Sequence, residues 1–200
     1  MKISYIFYLV SFLFALSCEA QNKQSIEIDI RDCVNKVIND RIKKIYGANP
    51  IDFYDTMKDV EYQLLKFKLI NDISKESYLE LFSKIQSENK ETYTDFYIKT
   101  IELLNDRRLD FTNFALIDAI FSICPYEVLI KIKNYESMEY YNYAVILNEM
   151  TKGLNNQEAI KNLMNFINEN DFKQLDYRAS IILLIIINMD YKFNPVVQIE

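Results

Sequence analysis

The chain has 200 residues, half of them hydrophobic; 23 lysines and arginines stand against 29 aspartates and glutamates, the net charge is −6, and there is no histidine. The acidic balance argues against a surface that tracks a nucleic-acid backbone, and the missing imidazole removes His-based acid–base catalysis, Ser-His and Cys-His nucleophiles, and nitrogen-ligated zinc. Two glycines are too few for GxGxxG or a phosphate-cradling loop, so nucleotide and dinucleotide cofactors are not expected.

The first element reads as an export signal. Lys2 gives a positive start, and Ile3 to Leu16 is apolar apart from Ser4, Tyr5 and Ser11. That is the length of a signal core, short of the about 20 apolar residues a membrane span needs. The run stops at Ser17-Cys18-Glu19-Ala20-Gln21, where two cuts fit. Cleavage after Ala20 makes 1–20 the signal and 21–200 a single helical domain. Cleavage before Cys18 makes 1–17 the signal: Ala15-Leu16-Ser17-Cys18 loosely resembles a bacterial lipobox, and Cys18 then becomes a lipid-attachment site. Acyl chains contribute about 0.8 kcal/mol per buried methylene, enough to hold such a protein on a membrane.

Beyond the signal the apolar residues recur at helical spacing. Val34, Val37, Ile38, Ile42 and Ile45 predict a helix over residues 29–46, stopped by Gly47 and Pro50. Asp52 is placed to cap a helix with Phe53, Met57, Val60, Leu64 and Phe67 on one face, running toward Asn71-Asp72. Ser74 opens Tyr78, Leu81, Phe82 and Ile85; Thr92 or Tyr93 opens Phe96, Tyr97, Ile101 and Leu104. Thr112 caps a helix that is expected to stop near Cys124, because Pro125 disfavours helical geometry in the residue before it and suits the first position of a new helix. Ser137 is read as the cap of Tyr140, Tyr143, Ala144, Leu147 and Met150, with Gly153 as a left-handed stop, and Asn156 as the cap of Ile160, Leu163 and Met164. Ile181 to Ile187 is apolar on every side and rich in isoleucine, so a buried strand is the alternative; a central helix over 176–189 is preferred, because the stretch has helix length and no second strand offers a partner.

The fold class is therefore all-α: an irregular multi-helix bundle of about eight or nine helices, with stacked helix pairs of HEAT or TPR type as the second architecture. Helix pairs would start near residues 52, 92, 125 and 156, but no residue pattern repeats between them.

Few residues carry chemistry. Cys33 and Cys124 survive either cut and form a candidate disulfide, with two buried thiols as the alternative. No Cys/His spacing or calcium-loop pattern offers a metal site. Acid pairs at helical spacing, Asp52 with Asp55, Glu102 with Asp106 and Glu136 with Glu139, are the remaining catalytic candidates, although solvent-facing acids produce the same spacing. The basic runs Arg41-Ile42-Lys43-Lys44 and Arg107-Arg108 are short and flanked by acids. Tyr135, Tyr140, Tyr141 and Tyr143 form the densest aromatic cluster and a candidate interaction patch, with core packing as the competing role. The expectation is an exported protein, periplasmic, membrane-attached through Cys18, or secreted, that binds another protein or an envelope component. An inhibitor or immunity-type protein, with an acidic surface facing a basic partner, and an exported carboxylate hydrolase are the alternatives.

Overall fold

A computed structural model describes residues 3–109, 111, 114–151, 153–154 and 156–194, with side chains described from Ser25 onward. Every regular element among them is helical: α1 (Ile3–Tyr46), α2 (Phe53–Lys66), α3 (Lys75–Ser87), α4 (Thr94–Asp106), α5 (Phe114–Asp118), α6 (Cys124–Leu129), α7 (Glu139–Met150), α8 (Gln157–Phe166), α9 (Glu169–Phe172) and α10 (Leu175–Phe193). Among the described residues no helix is long and apolar enough to cross a membrane.

Side chains capping free N–H groups mark where helices begin. Asp52 accepts from the N–H groups of Tyr54 and Asp55 at 2.8 and 3.0 Å, Ser74 from Ser77 at 3.2 Å, and Asn156 from Glu158 and Ala159 at 3.0 and 3.2 Å. The Thr112 cap falls outside the described residues. Ser137 is not a cap: it lies in a 3-10 turn, Tyr135–Ser137, where its hydroxyl donates to the Asn134 carbonyl, and α7 starts two residues later. Glycine stops α1, since Gly47 takes φ +60° while its N–H bonds the Lys43 carbonyl. Gly153 is not left-handed; it closes α7 by an ordinary turn bond to Met150. The first helix begins at Ile3 rather than near residue 29, because neither glycine nor proline interrupts the chain between Ile3 and Tyr46.

The helix carrying Phe67 ends earlier than its apolar stripe predicts. α2 stops at Lys66 because Lys68 adopts φ +56°, and the Leu69 and Lys68 N–H groups turn back to the Leu64 and Leu65 carbonyls. Phe67 and Ile70 still pack inward, so the stripe persists after the helix has ended. Arg108 repeats this Schellman geometry at the end of α4, with φ +57° and the Leu109 and Arg108 N–H groups bonded to the Leu104 and Asn105 carbonyls. Each pair of equivalent positions is 40 residues apart, as are the buried Val60 and Thr100 and the buried Leu64 and Leu104. A structural period thus exists without a matching residue pattern.

Pro125 does not end its helix. Cys124 keeps helical angles (φ −66°, ψ −43°), and its N–H reaches back five residues to the Ala119 carbonyl. The widened π-helical turn over Ala119–Ile123 makes room for the proline ring, which in a regular helix would collide with the carbonyl four residues earlier. α5, this turn and α6 therefore run on as one bulged helix.

α10 occupies the centre, as an all-apolar helix must. Every residue from Tyr177 to Met189 is buried, and α2, α3, α4 and α9 pack around it. Two polar members of this stretch are satisfied: Asn188 donates to the Leu154 and Leu184 carbonyls at 2.9 and 2.8 Å, and Arg178 forks onto buried Glu61 of α2 at 2.6 and 3.1 Å. Tyr78 of α3 donates to the same carboxylate at 2.5 Å, so one interior acid joins three helices.

Candidate functional site

Two cysteines of the chain meet. Cys33 of α1 and Cys124 of α6 form a disulfide with their Cα atoms 5.6 Å apart, linking residues separated by 91 positions. The Cys18 side chain falls outside the described residues. Within α1 the first buried side chain described is Ile26, and Ile30, Val34, Ile38 and Ile42 follow it at four-residue steps on the packed face.

The tyrosine cluster is divided by the geometry of α7. Tyr140 and Tyr143 are buried and pack against Tyr177 of α10, because residues three and four apart on this helix face the core. Both are removed from the expected interaction patch. Tyr135 and Tyr141 are half-buried and meet edge to face, with Tyr126 against Tyr141; only these remain candidates for surface contact. Burial holds the phenols of Tyr140 and Tyr143 in their neutral form, well above the usual tyrosine range.

Of the acid pairs, Asp52 and Asp55 bracket Arg31, whose guanidinium lies 3.4 Å from Asp52, 4.0 Å from Asp55, 4.0 Å from Asp176, and 4.8 Å from the centre of the Tyr54 ring. Partial burial works to raise the Asp52 pKa, but the N–H groups it caps, Arg31 and Asn35 together bring it below the ordinary value. Desolvation moves Asp176 the other way, upward. Asp176 and Glu27 line a crevice of about 20 Å³, room for about a single water. Glu102 is exposed and paired with Lys99 at 2.6 Å; Glu136 and Asp106 are exposed, and the Glu139 side chain falls outside the described residues.

A larger concavity than this crevice arises among the described residues where α1 ends beside the turn that follows α4. Its inner lobe, 150 Å³, is lined by Val37, Ile38 and Ile42 of α1 and by Leu109 and Leu116, with Arg41 and Arg108 as its charged members. Its outer lobe, 680 Å³, lies between α4 and α10 and includes Tyr97, Asn105, Asp190 and Asn194. Tyr46, Arg108 and Leu109 line both lobes, which makes one two-lobed groove. The left-handed turn of Arg108 presents its guanidinium here, 5.8 Å from the centre of the Tyr46 ring, and Tyr46 itself is 49% exposed. Asp190 is the acid of the outer lobe, and it already accepts from Tyr97 and Asn194. None of the three acid pairs lines this groove.

The groove residues were individually visible in sequence but not as a set. Arg41 and Arg108 belong to the two short basic runs, which are 67 positions apart and share no periodicity. The comparisons with known proteins offer no further guide: the chain matches no protein-family model, no curated protein and no solved structure.

Proposed function

We propose that this chain is an exported helical binding protein of a bacterial envelope, and that the two-lobed groove around Arg108 is where its ligand sits. The observation that carries the reading is the groove itself: an apolar pocket beside a wider, half-polar chamber, the two sharing Tyr46, Arg108 and Leu109 as a common wall. That is the usual composition of a small-molecule site. One further feature supports export: the Cys33–Cys124 disulfide belongs to an oxidising compartment. In this reading Cys18 carries the lipid anchor, and the residues between it and Ile26 form a short spacer.

The experiment places a photo-crosslinking residue at Tyr46 in the native envelope, with the same residue at Tyr62 as control. Tyr62 is 63% exposed and lines neither lobe. A defined adduct at position 46 that is missing at position 62 is the expected result; no adduct at 46 overturns the binding reading. Intact mass of the native product checks the anchor, and an unlipidated species starting at Gln21 removes it.

A further inference from the structure

Resting on the groove as a binding site, the geometry points to its ligand class: we infer that it takes a single-chain amphipathic carboxylate, aliphatic tail in the inner lobe and head group between Arg41 and Arg108. The inner lobe sets the tail. Val37, Ile38, Ile42, Leu109 and Leu116 give it an aliphatic wall, and among the described residues no acidic side chain lines it. A polar or branched, heavily hydroxylated ligand would leave its hydrogen-bonding groups unpaired against that wall.

The charged members set the head group. Both cations that line the inner lobe are arginines, and among the described residues neither takes part in an ion pair. Arg31, Arg107 and Arg178 each have a carboxylate, so the two at the groove stand apart from the remaining arginines of the fold. A guanidinium beside a low-dielectric wall favours an anion that it can meet bidentately, and a carboxylate has that geometry. Arg108 is steadied for this role by the Tyr46 ring, and its position is fixed by a backbone turn rather than by side-chain packing. The outer lobe stays open to water, and its acid Asp190 does not line the inner lobe, so water between them weakens its repulsion of an anion held at the arginines.

Calorimetric titration of the native protein with octanoate, decanoate and dodecanoate, and with decanol as the uncharged control, tests the assignment. Each added methylene is expected to tighten binding about three- to four-fold until the lobe is full. Decanoate should bind one per chain and at least about ten-fold more tightly than decanol. Arg108→Gly keeps the left-handed turn, since glycine accepts positive φ without strain, and should weaken decanoate at least about ten-fold more than it weakens decanol; Arg41→Gln should do the same. Equal affinity for decanoate and decanol, or carboxylate binding that both substitutions leave intact, overturns the assignment. So does a Val197→Asp substitution in the full chain that tightens decanoate, because the groove would then belong to the chain's own residues 195–200. A defined crosslink at Tyr46 without decanoate binding rejects this ligand class and leaves the binding reading standing.

Discussion

Arg178 and Glu61, 117 positions apart in the chain, form a two-pronged ion pair inside the protein, with side chains only 7% and 6% exposed. Arg178 also donates to the Phe172 carbonyl at 2.7 Å, which ties the end of α9 to the same centre. Such a pair contributes little net stability when compared with an apolar replacement, yet removing one partner strands a buried charge. Glu61→Ala should therefore cost about 3–5 kcal/mol. Tyr78→Phe, which deletes one hydrogen bond to the same carboxylate, should cost about 1–3 kcal/mol. Urea denaturation of the two variants checks both the size and the order; equal losses would show that the ion pair is not the centre of this junction.

The disulfide closes a long loop, so reduction should lower stability by about 2–5 kcal/mol through the restored freedom of the unfolded chain. Cys33→Ser with Cys124→Ser should reproduce the loss. Far-ultraviolet circular dichroism should keep its helical shape, because α1 and α6 also pack along each other beyond the disulfide. Denaturation midpoints with and without reductant make the measurement, and an unchanged midpoint would mean that the native protein holds free thiols.

Asp52 links pH to stability. Its folded pKa lies below the ordinary value, so the unfolded chain takes up a proton first as pH falls. Its contribution is complete above the unfolded carboxylate pKa of about 3.9 and is lost as pH drops through the lower folded value. Asp52→Ala should cost about 1–2 kcal/mol near neutrality, chiefly through the lost helix cap. The gap between variant and parent should narrow below about pH 4. A gap that stays constant to pH 2 contradicts this assignment.

Lys68 holds a left-handed conformation that costs an L-residue about 1–2 kcal/mol, part of which glycine recovers. Lys68→Gly should raise stability by up to about 1 kcal/mol. Gln63→Gly, five residues earlier and inside α2, should lower it by about 1 kcal/mol. Thermal melts of this pair of variants should move in opposite directions.

The physical limits of sequence reading show in particular elements. The caps at Asp52, Ser74 and Asn156 and the central place of α10 follow from local chemistry: a short polar side chain meets free N–H groups within three residues, and an all-apolar stretch has no face to give to water. Pro125 misled because its clash is local but its relief is not; the π turn that absorbs it lies upstream and is held by α1 and α7. Lys68 misled because lysine does not announce positive φ, so the apolar stripe through Phe67 read as helix.

By itself the sequence determined the all-helical class and the buried α10, since these depend on composition and on neighbours within a few residues. Only the tertiary structure decided which tyrosines are core, that Cys33 finds Cys124, and that Arg41 and Arg108 come to line one pocket. The reason is distance along the chain: contacts between residues tens of positions apart depend on how whole helices pack, and helical periodicity fixes which face turns inward but not which other face it meets.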